Sequence, residues 1–548
     1  MRGKPGQRDQ RTPGVVFQPS VYQGFQRGVN QMVNAVRPTL GPLPRLVAIA
    51  QAAAGQPPEL LDDGGAISRR IVQLAHRDED VGAMFIRHVL WHLHQEAGDG
   101  TATAAVLFQS VFDQGVRYIV SGGDPMLLRR HLESGRQLIV DQLSRMTTHL
   151  EGKTHLSRVA ETICHDPEMA TMLGEIIDIV GEHGQLDIRS GRRREIEREY
   201  VEGMYWDGGV LSREMIIDHT RPRTDIEDAA ILISDLEIEE PGQLVPLLDA
   251  VVGADVPGLL VIAGKFSESA LAFLLASRKA DRCPIVAVET PGTGDYGKAT
   301  AIADLAILVG GRPLMRAAGD TLDGVSFTNL GRARRAWADR SHFGIVGGKG
   351  DPRALRVHIA SLRTSFSRAT DPDQRRRLQQ RIGKLMGGSA ILQVGGITER
   401  EITSRKEMAE GTAEALRGAV RDGVVPGAGM SLLACRPALQ QRLDQSTDPD
   451  ERAAGRILLR ALEEPARAII SNAGYDASEV LVEIKSAPPG HGFDARCGQV
   501  VNLADAGILD PAAVSKAVVV HAIVSAAQAL TVEVLVHRKD PPMAAEDL

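Results

Sequence analysis

Aromatic side chains are scarce in this sequence: Phe, Tyr and Trp together make up 4% of it, with six Tyr and three Trp. The apolar interior must come mostly from Ala, Val and Leu, which favours a helix-rich core of aliphatic side chains. Cysteine is rarer still. Cys164, Cys283, Cys435 and Cys497 lie far apart without a CxxC pair, so they read as reduced cytosolic thiols and offer no cysteine metal centre. Basic charge is not in excess either: Lys+Arg 63 against Asp+Glu 70 gives a net charge of -7, and that balance calls for no nucleic acid. No apolar run approaches the ~20 residues of a membrane span, so no membrane partner is expected. The polar stretch from Met1 to Val16 lacks the apolar block of a signal peptide and is expected to be a loose tail, as is the stretch from His537 to Leu548. These absences leave a cytoplasmic globular protein. Its 548 residues exceed a single core and suggest about three or four domains.

Against that background, Ala97-Gly98-Asp99-Gly100-Thr101-Ala102-Thr103-Ala104 holds the ingredients of a phosphate and metal site. Two glycines permit close backbone approach, and two hydroxyls stand where a helix begins and its first amides lack partners. Asp99 is suited to hold Mg²⁺ against an anion there. The helix is legible in Val106, Leu107, Val111, Phe112, Val116, Ile119 and Val120, and it stops at Gly122-Gly123-Asp124-Pro125. An ordinary helix cap, in which Asp99 and Thr101 merely satisfy free amides, accounts for these residues equally well.

Elsewhere, Val21, Phe25, Val29, Met32, Val33 and Val36 mark a helical face that ends at Arg37-Pro38, followed by the turn Thr39-Leu40-Gly41-Pro42. Leu61-Asp62-Asp63-Gly64-Gly65 is a second acid-glycine turn leading into a helix. In the middle of the chain, Ala230–Ile233, Leu259–Ile262, Ile285–Val288 and Leu305–Val309 are short apolar runs that predict strands of an α/β layer. Two charged helices follow, one with Leu355, Ile359, Leu362 and Phe366, the other with Leu378, Ile382 and Leu385. The basic cluster Arg375-Arg376-Arg377 on the second reads as a solvated face.

Thr39-Leu40-Gly41-Pro42, Asp63-Gly64 and Gly98-Asp99-Gly100-Thr101 resemble, in order and spacing, the group I chaperonins of the GroEL family. The resemblance continues through Gly122–Met126, Val201–Met204, Leu385–Gly388, Asp422–Gly429 and Gly507–Pro511, and covers residues 17–536. It implies a multidomain α and α/β fold of three nested domains. A helical equatorial domain would comprise residues 17–145 and 422–537, a small intermediate domain 146–202 and 389–421, and an α/β apical domain 203–388. Gly203, Gly388 and Gly423 would lie at the crossings, where their conformational range suits hinges.

The resemblance further implies that ATP and Mg²⁺ bind in the equatorial domain. Thr39, Leu40, Gly41 and Pro42 would lie against the nucleotide, Asp99 would hold the metal, and Gly98, Gly100, Thr101 and Thr103 would hold phosphate. Asp63 would stand near the γ-phosphate, Gly427 and Gly429 near ribose and base, Asp494 and Ala495 by the adenine, and Asp510 on the ribose. Several positions depart from the family pattern. Leu43-Pro44 and Asp62 replace residues that bring positive charge, Ala102 replaces a threonine, Ala428 a glycine, and Arg496 a small residue beside the base. Gly411 stands where the family carries the aspartate that positions the attacking water. Glu410 is the neighbouring carboxylate that would substitute, although one helical step turns a side chain by about 100°. Hydrolysis is therefore expected to be slow or absent; acceleration by Gly411→Asp would support a site that binds more than it hydrolyses, whereas rapid turnover abolished by Glu410→Gln would show the substitute at work.

Non-native polypeptides would bind an apical groove at Val210, Met215, Val245, Leu248, Leu271, Leu275 and Ala276, a surface shared with a GroES-like co-chaperonin. The expected assembly is a homo-oligomeric ring, and a double one, that assists folding. Two alternatives remain open: a non-hydrolysing structural or holdase-type ring, and a client-specific assembly factor.

Overall fold

The computed structural model describes residues 14–50, 58–150, 152–181, 184–191, 193–202, 204–217, 223–254, 256–277, 283–369, 371–386 and 388–537. It divides into two compact units, one formed by residues 1–178 and 397–548, the other by 179–396. Helices dominate the first unit and an α/β arrangement the second, as the sequence patterns predict. Gly203, a proposed hinge, lies outside the described residues.

The first unit is built on helices α1 (Ser20–Val36), α2 (Gly64–Arg70), α3 (Arg77–Ala97), α4 (Thr101–Val120), α5 (Pro125–Met146) and α6 (Lys153–Cys164), joined by the late helices Glu399–Asp422 and Ala512–Ala529. The apolar face foreseen for α1 is buried throughout. The few aromatic rings are pooled: Phe25, Phe85, Phe108 and Phe112 form one chain of tilted and stacked pairs with centroids 5.3–6.1 Å apart. Helices α1 and α3 meet backbone to backbone. A methyl at Gly28 would collide with the Glu79 carbonyl oxygen, and one at Gly82 with the Phe25 carbonyl oxygen.

Helix α4 ends as expected, with Gly122 at φ 102° and Asp124 capping α5 through the amides of Met126 and Leu127. Among the described residues, helix Ala512–Ala529 is long and apolar enough, by length and composition alone, to cross a membrane. Its Val518, Val519, Ala522, Ile523 and Ala526 are instead core residues, packed against α3, α4 and α5.

Both chain ends also depart from expectation. Gly14–Phe17 and Val534–His537 pair as antiparallel strands, with Gly14 opposite His537 and Phe17 opposite Val534. Gln18 Nε2 donates to the Val532 carbonyl at 2.8 Å, Tyr22 Oη donates to that of Leu530, and His537 Nε2 meets Asp78 at 2.6 Å. Runs of four residues, separated by the rest of the chain, give no local sign that they are partners.

In the second unit, Ala230–Ile233, Leu259–Ala263 and Ile285–Glu289 run parallel at one side of a seven-stranded sheet. The sheet continues antiparallel through Gly331–Asp339, His342–Gly348 and Met204–Asp207, and Arg223–Glu227 pairs with Gly331–Asp339. A three-stranded sheet has Gly388–Val394 at its centre, between Gln185–Ser190 and Glu197–Glu202. The fourth predicted strand is not one: Leu305–Val309 forms the last turns of helix Gly294–Val309, which Gly310 ends in a left-handed conformation. A five-residue apolar run fits a buried strand and a buried helix end equally well, and the preceding Ala-rich residues carried it into the helix. The two charged helices form as expected at Pro352–Arg368 and Pro372–Met386, with Arg375 over the Phe366 ring at 4.6 Å.

Gly28→Ala should lower stability by about 1–3 kcal/mol, because a methyl there meets main chain and cannot be accommodated by a rotamer change. Gly242→Ala, where a methyl meets nothing within 4 Å, should stay within about 0.5 kcal/mol. Urea midpoints at constant m-value measure both.

Candidate functional site

Two glycines make the bend between α3 and α4. Gly98 (φ 72°) ends α3, donating its amide to the His94 carbonyl at 2.9 Å, and Gly100 (φ 87°) stands at the N-cap of α4. That cap carries no side-chain hydrogen bond, so the first amides of a 20-residue helix open toward a cavity. Asp63 is an N-cap too: its Oδ1 accepts from the Ala66 amide at 2.6 Å and so begins α2. The plain capping role is therefore realised at Asp63 and not at Thr101. The starts of α2 and α4 abut, since a methyl at Gly64 would lie 2.9 Å from Thr101 Oγ1.

The cavity has a volume of about 430 Å³. Of the residues singled out from the sequence, Thr39, Leu40, Gly41, Pro42, Asp63, Gly98, Asp99, Gly100, Thr101, Thr103, Gly429, Asp494, Ala495 and Asp510 line it. Gly427 does not. It stands just behind the wall, where a methyl would lie 2.9 Å from Asp510 Oδ1, so its missing side chain leaves room for that carboxylate. Ala428 adopts φ 54°, a left-handed conformation that a glycine would take without strain.

Seven carboxylates, Asp62, Asp63, Asp99, Glu161, Asp494, Asp505 and Asp510, line the cavity with only two guanidinium groups, Arg158 and Arg496. Burial raises the pKa of Asp99, and the charge of Asp63 adds to the rise, while the Gly100 amide and His94 oppose it. Burial and then the charge of Asp99 push Asp510 up to about 7. Like charges thus converge beside free helix amides, an arrangement suited to a cation and an anion bound together. Among the described residues, no group of three or more His, Cys, Asp or Glu could hold a metal unaided. A Mg²⁺ that takes one carboxylate and completes its shell with phosphate and water fits this donor set.

Asn472, a residue that motif reasoning did not reach, fixes the loop after α1. Its Nδ2 donates to the carbonyls of Arg37 and Leu40 at 2.9 and 2.8 Å, and Gly41 (φ 109°) lies against Ile469. Arg158 and His165 of the α6 region are further wall residues without a sequence signal. Arg496 reaches across to Glu161 at 3.1 Å.

Position 411 is buried, and its backbone lies on the bend between α3 and α4. A methyl on Gly411 would sit 2.6 Å from the Gly98 carbonyl oxygen. An aspartate at 411 would therefore meet main chain at the bend that carries Asp99. Glu410 does not reach the cavity; it is 49% exposed and lies 3.7 Å from Lys406.

In the second unit, Val245, Leu248 and Val252 form an outward stripe on helix Val245–Gly253, with Val245 and Val252 exposed. Leu271 and Leu275 are half-buried on helix Glu268–Ser277, Ala276 is exposed, and Val210 is half-buried in a bridge to Val288. Met215 is interior, 1% exposed, so it offers no surface for a polypeptide.

A family model of the TCP-1/cpn60 chaperonin family matches residues 32–540. Among solved structures, the chain is similar to the chaperonin gp146 from the bacteriophage EL 2 (Pseudomonas aeruginosa), crystallised in the presence of ATP-BeFx. Crystal form I aligns with a TM-score of 0.68 at 18% identity, over 96% of this chain and 99% of that one. Form II aligns with a TM-score of 0.62 at 18% identity, over 95% and 98%.

The raised Asp510 pKa sets a pH dependence. Between the ordinary carboxylate value of 3.8 and about 7 the unfolded chain has released this proton and the folded chain keeps it, so stability falls as pH rises through that window. Asp510→Asn removes the effect. Its melting temperature should exceed that of the wild type at pH 8 and approach it near pH 4, as read by scanning calorimetry without added metal.

Proposed function

Because this chain belongs to the TCP-1/cpn60 chaperonin family and so has a chaperonin's role in protein folding, we propose that it is the ATP-binding subunit of a homo-oligomeric ring. The observation that carries this reading is the acidic cavity at the uncapped start of α4. Amides of the first turn and the hydroxyls of Thr101 and Thr103 would bind phosphate oxygens, and Asp99 would hold Mg²⁺ with Asp63 close by. When bound, Mg²⁺ supplies the positive charge that offsets both the phosphates and the surrounding carboxylates. Phe493, Ala495 and Ile508 give the cavity an apolar wall suited to a base, and Asp510 is an acceptor for ribose hydroxyls. Crystallisation of the phage chaperonin in the presence of ATP-BeFx supports the same reading.

Turnover is slow in this proposal. No carboxylate stands at position 411, and loss of a water-positioning group typically costs about 10²–10⁴-fold in rate. That absence also favours the alternative of a holdase ring that binds nucleotide without productive hydrolysis. The reading includes three nested domains, a cytoplasmic location, and capture of non-native polypeptide on the apolar stripe Val245, Leu248 and Val252, where a co-chaperonin lid would compete.

Calorimetric titration with Mg-ATP tests the site. Asp99→Ala should weaken binding at least tenfold, and Asp62→Ala should change it by no more than about threefold. Sedimentation tests the assembly, and a monodisperse monomer at high concentration would refute it. Val245→Glu together with Val252→Glu should leave the sedimentation profile unchanged while reducing capture of a denatured polypeptide several-fold.

A further inference from the structure

Charge is not spread evenly along this chain. Residues 352–386, which form the two charged helices of the second unit, hold eight Arg and one Lys against Asp371 and Asp373, a net charge of +7 in a chain whose total is -7. Arg381 turns inward, donating twice to Asp304 at 2.8 Å, and His358 meets the same carboxylate at 2.7 Å, which seats the hairpin on helix Gly294–Val309. Arg353, Arg356, Arg363, Arg368, Arg376 and Arg377 are exposed, and among the described residues none of the six is paired with a carboxylate. The hairpin lies across the seven-stranded sheet from the stripe Val245, Leu248 and Val252. In strand Ala230–Ile233, Ile231 and Ile233 share a core with Leu305 and Leu308 of the helix beneath the hairpin, whereas Ala230 and Leu232 share one with Leu247 and Val251 of the stripe's own helix. The arginine face is thus separate from the apolar stripe. Charges more than about 8 Å away are largely screened at physiological ionic strength, so the hairpin's own excess, and not the acidic balance of the whole chain, governs what docks on it.

We propose that this face binds the phosphate backbone of double-stranded nucleic acid without reading its sequence. At 100° per residue Arg353, Arg356, Arg363 and Arg368 fall within about 140° of one helix's circumference, and they span about 22 Å of its length. A duplex presents about 13 phosphates over that distance. An extended polypeptide, at about 3.4 Å per residue, offers half as many charges there only as an unbroken acidic run. Arginine suits the ligand, because its planar fork meets phosphate oxygens two at a time. A single strand is the poorer fit, since its unpaired bases need exposed rings to stack on. The one aromatic residue of the hairpin, Phe366, is half-buried with the Arg375 guanidinium 4.6 Å from its ring centroid.

Fluorescence anisotropy of a short labelled DNA duplex of mixed sequence, titrated at low salt with the full-length protein, tests the proposal. Arg353→Gln, Arg356→Gln, Arg376→Gln and Arg377→Gln combined should weaken binding at least tenfold and flatten the slope of log Kd against log salt by about 3–4. Sedimentation and capture of denatured polypeptide should stay at their wild-type values, since these residues are exposed and lie across the sheet from the stripe. Should the fourfold variant fail to fold, Arg353→Gln with Arg356→Gln alone is expected to weaken duplex binding at least threefold. Absence of duplex binding by the wild type, or wild-type affinity in the variants, would overturn the proposal. Tighter binding of poly-glutamate, or of a single strand of the same length, would also overturn it and assign the face to an acidic polypeptide or to an unpaired strand.

Discussion

The constraint on which this molecule depends is the confinement of like charges. Burial raises the pKa of both Asp99 and Asp510, which come from opposite ends of the chain; the charge of Asp99 adds to the rise at Asp510, and that of Asp63 to the rise at Asp99. Carboxylates do not assemble this way unless the surrounding fold forces them to, and here the force is supplied by packing. The bend that carries Asp99 is clamped by the backbone of Gly411, and the helix after Asp510 is buried against α3, α4 and α5. Hydrophobic burial elsewhere holds the acids in place, and a bound cation would relieve them. Stability and ligand affinity are in this sense opposed within one cavity.

Much of this was legible in the sequence, because the signals were either periodic or glycine-bound. The faces of α1 and α4, the stop at Gly122 and the three parallel strands all follow from local pattern. The cavity was legible only through resemblance, since its lining comes from segments hundreds of residues apart. What stayed hidden was relational. Asn472 is an unremarkable asparagine until two carbonyls from the other end of the chain meet it. Leu305–Val309 failed for a different reason, as a run too short to declare its period.

Glycine serves two separate purposes in the first unit. At Gly98 and Gly100 it permits backbone angles that turn one helix into the next. At Gly28, Gly82 and Gly411 the angles are ordinary and the glycine is needed for proximity, because another main chain occupies the space of a side chain. The second kind explains why substitution at position 411 is not a simple exchange of chemistry. A residue chosen for catalysis there would have to be accompanied by a retreat of the bend that carries Asp99.

The pairing of Gly14–Phe17 with Val534–His537 bears on the order in which the protein is made. All strands of the second unit lie within residues 179–396, so that unit is complete while the C-terminal part of the chain is still being synthesised. The first unit has no such freedom. Its helices α3, α4 and α5 present apolar faces that are covered only when Ala512–Ala529 emerges, and its outer strand waits for the residues that follow. During synthesis the nascent chain thus carries a finished α/β unit beside an unfinished helical one with exposed Val, Leu and Phe. Sequence-distant contacts of this kind form late and slowly. A protein of this family therefore has, in its own N-terminal half, the type of apolar surface that chaperones exist to shield.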